Sequence, residues 1–201
     1  MAEQPYTSMQ ELVVALADIL TKQDRTPFAF FGHSMGALVA LEVARFCARH
    51  SLAMPLCLIA SGATAPQYDK PARKLHTLPD DALIDALRDY DGSPPEVLEH
   101  RELMALLLPM IRADFQLIEN YAYRAARPLE LALTVFVGDA DGHVIQESAP
   151  HWQKETLGPC QVHRFQGGHF FIHSDENAVL SCIKVTLMEK LAQPSEQALS
   201  P

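Results

Sequence analysis

Ser34, His169 and a pair of aspartates, Asp139 and Asp141, are the groups in this sequence whose types and surroundings could break an acyl bond. Ser34 lies in Gly32-His33-Ser34-Met35-Gly36, after the apolar run Phe28-Ala29-Phe30-Phe31 and before helical spacing that extends from residue 37 to about 50. On a strand-to-helix turn, Gly-x-Ser-x-Gly holds the serine in a strained conformation with Oγ at the strand's C-terminal edge. Both glycines are expected where strand and helix pass too closely for side chains. A hydroxyl is a poor nucleophile until a base takes its proton, and that base needs an orienting acid. The sequence offers Ser, Asp and His in that order. Gly138-Asp139-Ala140-Asp141-Gly142-His143-Val144 follows one apolar run, and Gly167-Gly168-His169-Phe170-Phe171 follows another.

Asp141 is the expected acid, with Val144 placed to tuck under the sheet edge and hold the loop. Asp139 lies nearer the strand end; it competes for the role or bonds loop amides instead. His169 is the expected base, and His33 is expected to shape the pocket rather than move protons. His143 lies near the acid loop but precedes the last strand, which counts against it as the base. His163, His169 and His173 lack metal-site spacing, so neither metal nor cofactor is expected. Met35, the residue after the serine, is placed to supply one oxyanion-hole amide.

These groups must be positioned by strands and helices. Ser8 and Glu11 read as a capping box opening an amphipathic helix with Leu12, Leu16, Ile19 and Leu20. The run at 28–31, apolar on both faces, reads as a central strand of a parallel sheet. Arg45, Arg49 and His50 fall near the end of the next helix, where positive charge meets the negative end of the dipole. Residues 55–60, 131–137 and 162–165 read as further strands, and strand, helix, strand implies a right-handed parallel crossover.

Residues 67–127 carry helical patterns only. One helix opens at Pro79-Asp80-Asp81, another at Ser93-Pro94-Pro95-Glu96 with a serine cap, and Pro109 is expected to break or kink a third. A helical insert of this size suits a cap over the site. An amphipathic helix is expected from 177 to 191, and residues 193–201 read as a frayed tail. The expectation is a single α/β domain over residues 1–201, a mostly parallel sheet with helices on both faces and an inserted lid.

Composition bounds the function. The chain has 201 residues and a formal charge of −9, with no cluster of Lys and Arg of the kind nucleic acid or an anionic membrane surface requires. Four scattered cysteines suit a reducing cytoplasm, and no apolar run approaches the roughly 18 residues of a membrane span. A soluble cytoplasmic protein is expected.

Three stretches together resemble the type II thioesterases of nonribosomal peptide and polyketide synthesis, in the α/β-hydrolase superfamily. These are residues 28–36 with Ala37-Leu38, residues 102–115 with the run Leu107-Leu108-Pro109-Met110-Ile111-Arg112-Ala113-Asp114-Phe115, and Gly167 to Phe171. The resemblance implies hydrolysis of acyl or aminoacyl thioesters from the phosphopantetheine arms of carrier domains. Ser34 would be acylated, His169 would shuttle the proton and Asp141 would orient it. The insert would cover an acyl channel, Met104, Leu107, Leu108 and Ile111 either lining it or forming helix core. Arg112 and Asp114 would be a lid-fixing polar pair rather than substrate contacts.

The sequence departs from the family at the N-terminus, where the resemblance implies several more strands and a P-x-A-G-G-like loop carrying the second oxyanion donor. The expectation is therefore an incomplete N-terminal part, an exposed apolar edge at residues 28–31 and weak activity of this chain by itself. Rival readings are a carboxylesterase or fatty-acyl thioesterase with the same triad, and a non-catalytic carrier-binding protein.

Overall fold

A computed structural model describes residues 4–23, 26–68, 73–90 and 92–192. The expected tail at 193–201 lies outside them. Among the described residues four parallel strands form one sheet in the order β1 (Phe30–His33), β2 (Cys57–Ser61), β3 (Ala132–Gly138) and β4 (Cys160–Phe165). Alternation along β3 makes this sheet two-faced, as a strand's twofold period demands. Leu133, Val135 and Val137 pack on one side with α2 (Met35–Arg49) and the buried Trp152. Phe136 packs on the other with Ile59, Phe165, Phe171 and Val179. Helix α1 (Met9–Thr21) covers α2 through Val13, Val39 and Val43.

Between β2 and β3 lies the helical insert, with α3 (Asp80–Asp89), α4 (Pro95–Glu99) and α5 (Arg101–Glu119). It has an apolar core of its own, built on Leu83, Leu98, Met104 and Leu108. After β4 come a short α6 (Phe171–Ser174) and α7 (Glu176–Ala192).

Several local expectations are corrected. Ser8 stands at the N-cap of α1 but makes no side-chain cap bond; only its carbonyl takes part, accepting from Leu12 N at 3.1 Å. Strand β1 begins at Phe30 and runs into the motif itself. It occupies an outer position in the described sheet and leaves Phe31 44% exposed, which fits the exposed apolar edge expected at residues 28–31 and not a central strand buried on both faces. Helix α2 starts at Met35, and Pro94 rather than Ser93 holds the N-cap position of α4.

Pro109 lies inside α5 without ending it. Proline removes one bond, to the carbonyl of residue 105, and both positions face solvent, where water can take over the freed acceptor. Helix α7 buries Val179 and Thr186 but leaves Leu180, Val185, Met188 and Leu191 exposed, so it lacks the simple polar outer face expected of it.

Arg45 is not a solvated dipole partner. It is 4% exposed and ion-paired with Glu155, itself 1% exposed, and with Glu42. Tyr121 donates to Glu42 at 2.8 Å and Tyr123 to Glu155 at 2.9 Å. This network fastens the chain leaving the insert to the body of the domain.

Candidate active site

Every loop that carries a candidate residue leaves the C-terminal end of a strand: Ser34 after β1, Asp139 and Asp141 after β3, His169 after β4. Parallel pairing puts those ends on one rim. Ser34 has φ 55° and ψ −118°, a conformation disfavoured for a residue with a side chain, and its N–H is held by the Ser61 carbonyl at 2.8 Å. The strain is tolerated because the turn must fold helix back against strand at once. A Cβ on Gly32 would stand 2.1 Å from the Gly36 carbonyl oxygen, so that position admits no side chain. Gly36 is different. A Cβ there meets nothing within 4 Å, which corrects the expectation that both glycines are sterically required.

His169 joins the other two groups. Its Nδ1 lies 2.8 Å from Asp141 Oδ2 and its Nε2 2.9 Å from Ser34 Oγ. A carboxylate only accepts, so Nδ1 carries the hydrogen, and in the neutral ring Nε2 is left to accept from the serine hydroxyl. Asp141 is 3% exposed. Burial by itself would raise its pKa; the hydrogen bond and charge of His169 and the His143 amide, 2.8 Å from Oδ1, outweigh that and hold it below the usual aspartate value. Val144, 6% exposed, is packed in the core beneath this loop. Asp139 turns elsewhere and accepts from the Gly167 N–H at 3.0 Å.

His33 packs against the base, ring centroids 5.1 Å apart, with Nδ1 hydrogen-bonded to the buried Ser61 Oγ at 3.0 Å. Burial, and then the neighbouring His169, pushes its pKa down to about 4. His143 accepts no such place beside the serine: its ring stacks on Tyr90, and its Nε2 lies 3.0 Å from the Asp89 carbonyl. Tyr90 ends α3, so this contact connects the insert to the acid loop. Helical spacing puts Tyr90 on the same side as Leu83 and Leu87, but nothing in its flanks marks an aromatic that reaches His143 across 53 positions.

A cavity of about 610 Å³ opens over Ser34, walled on one side by Met35 and Leu38 and on the other by the insert residues Tyr90, Ile111, Phe115 and Ile118. Met104 and Leu108 instead belong to the insert's own core, as their helical spacing suggests. The Arg112–Asp114 pair does not form. Arg112 pairs with Asp80 and donates to the His76 carbonyl at 3.0 Å, bracing α5 against the start of α3. Met35 opens α2, and the first N–H groups of a helix have no carbonyl within it to bond. Among the described residues no group of His, Cys, Asp and Glu is arranged to hold a metal ion, and no helix is long and apolar enough to cross a membrane.

A parallel sheet with helices on both faces, and with an elbow serine on the rim of its strand ends, defines an α/β-hydrolase-like fold. The family model described as "Thioesterase domain" matches residues 1–187. The chain is 39% identical over 189 residues to linear gramicidin dehydrogenase LgrE of Brevibacillus parabrevis, spanning 92% of this chain and 72% of that protein. Among solved structures, ClbQ from the colibactin NRPS/PKS pathway superposes with a TM-score of 0.85 at 30% identity, covering 92% of this chain and 78% of ClbQ. The type II thioesterase BorB from the borrelidin biosynthetic cluster superposes at 0.82 and 34% identity, over 90% and 74% of the two chains. The chain belongs to the thioesterase family and is a hydrolase.

Proposed function

We propose that this protein hydrolyses acyl or aminoacyl thioesters held on the phosphopantetheine arms of carrier domains, as an editing enzyme of nonribosomal peptide or polyketide synthesis, with Ser34, His169 and Asp141 as its catalytic triad. The observation that carries the reading is the single imidazole bonded at once to a buried carboxylate and to the strained serine. The settings of ClbQ in the colibactin NRPS/PKS pathway and of BorB in the borrelidin biosynthetic cluster support the carrier substrate.

In this reading Ser34 Oγ attacks the thioester carbonyl carbon as His169 Nε2 takes its proton. The Met35 N–H faces the oxygen that becomes negative. Collapse of the tetrahedral intermediate breaks the C–S bond, and the imidazolium returns its proton to the leaving sulfur. Water, deprotonated by the same nitrogen, then attacks the acyl-serine, releasing the free acid and restoring the hydroxyl. Asp141 stays ionised throughout, fixing the ring's tautomer. The insert acts as the lid, its apolar wall taking the acyl group. The elbow presents a serine rather than a Gly-x-Gly-x-x-Gly phosphate loop, which favours hydrolysis over the dehydrogenase chemistry in the gramicidin relative's name. Four free cysteines fit the cytoplasmic setting proposed here.

The test is release of free acid and thiol from an acyl-phosphopantetheinyl carrier domain, run beside labelling by a fluorophosphonate. Turnover and labelling should both vanish in Ser34→Ala, with kcat falling by about 10⁶. Thioester turnover that survives Ser34→Ala would overturn the assignment.

A further inference from the structure

Asp114, an exposed residue of α5, stands in the wall of the cavity, and among the described residues no basic side chain pairs with its carboxylate. The face of α5 that looks onto the cavity carries Ile111, Phe115 and Ile118, and Asp114 interrupts it. Among the described residues two other charged side chains, Arg73 and Glu119, line the same space, and both are engaged. Arg73 pairs with Asp89 at 3.8 Å and lies over the Tyr90 ring. Glu119 accepts from the Leu75 N–H at 2.8 Å and from the amide and ring of His76. The nearest basic residue in sequence, Arg112, is turned toward Asp80. Partial burial raises the Asp114 pKa. A bare carboxylate is the wrong surface for an uncharged acyl chain, since it must give up water without gaining a partner.

We propose that Asp114 is a specificity-determining residue that binds an ammonium group, selecting thioesters whose acyl part bears a protonated amine over acyl parts of the same shape without one. The inference rests on the thioester reading above and narrows it. Ser34 and Asp114 face one cavity, so a substrate acylating the serine can place its amine on the insert side. A cation supplies both the charge and the hydrogens that the carboxylate lacks; a neutral amide supplies only a hydrogen.

The experiment compares alanyl- and propionyl-N-acetylcysteamine thioesters, which share a carbon skeleton and differ by the amine, at a pH that keeps the amine protonated. Each kcat/KM is divided by the spontaneous hydrolysis rate of the same thioester. The wild-type protein should favour the alanyl substrate by about tenfold, chiefly through KM, as one charge-assisted contact allows. Asp114→Asn should bring that ratio close to one, and Asp114→Glu should retain part of it. Turnover of both substrates without discrimination overturns this inference and leaves the thioester reading standing. A ratio unmoved by Asp114→Asn overturns it as well, and an equal loss on both substrates assigns the contact to the shared thiol arm. Turnover of neither thioester by the folded protein overturns the thioester reading and this inference with it.

Discussion

Asp139 and Asp141 stand two positions apart on one loop and send their carboxylates to different parts of the loop that carries His169. Asp141 meets the imidazole at 2.8 Å; Asp139 meets the Gly167 amide at 3.0 Å. The two loops are close enough that a Cβ on Gly138 would lie 2.5 Å from the Gly168 carbonyl oxygen. One aspartate therefore sets the chemistry of the ring and the other the position of the loop beneath it.

Replacing each by asparagine separates the roles. Asp141→Asn offers an amide hydrogen where a pure acceptor stood and favours the wrong imidazole tautomer, so kcat should fall by about 10⁴. Asp139→Asn keeps an acceptor for the Gly167 N–H and should stay within about tenfold of wild type, at a stability cost of about 1 kcal/mol. Steady-state kinetics and urea unfolding of both variants decide it. The reverse ranking would hand the orienting role to Asp139.

The two glycines of the elbow should differ just as sharply. Gly32→Ala drives a Cβ into the backbone of Gly36 and should cost about 3 kcal/mol or more while displacing Ser34. Gly36→Ala meets open space on the second residue of α2 and should remain within about 1 kcal/mol of wild type, helix propensity favouring alanine. Equal damage from both substitutions, measured by thermal unfolding and fluorophosphonate labelling, would contradict the geometry.

What the sequence makes legible is local: apolar runs ending in glycine, a serine on a turn, and the order of acid and base after successive strands. That suffices for the rim, because parallel strands bring their C-termini together whatever lies between. What it hides is pairing between distant positions and the facing of residues on a helix. Arg45 and Glu155 are 110 positions apart, so the arginine's buried partner had no sequence signal. Arg112 and Asp114, by contrast, are too close in the wrong way. Residues two apart project from different sides of a helix, which is why one braces the insert and the other faces the cavity.

The Arg45 network should behave as a buried ion pair. Arg45→Met leaves the Glu155 carboxylate enclosed without its cation and should destabilise the fold by about 3–5 kcal/mol. Adding Glu155→Met removes the stranded charge, and much of the loss should return. Urea unfolding of the single and double variants measures this. A double variant no more stable than Arg45→Met would show that the packing of the arginine, over the Tyr123 ring, matters more than the charges.

His33 gives the fold a pH dependence of definite sign. Its pKa is pushed from an ordinary 6.5 down to about 4, so the folded state resists a proton that the unfolded chain accepts. A depressed histidine contributes stability that is present in full above the unfolded value and is lost as pH falls from about 6.5 toward 4. Asp141 and Glu119, whose pKa values are also lowered, lose their contributions at the lower pH where carboxylates titrate, so measurements above pH 5 separate His33 from both. Between pH 7 and 5 the urea midpoint of the wild-type protein should drop, and in His33→Gln that drop should shrink, since glutamine takes up no proton. The variant starts from lower stability because it loses a ring packed on His169, and the comparison is therefore one of slopes. Parallel slopes would mean that the His33 ring can be protonated in place, against its burial and the neighbouring His169.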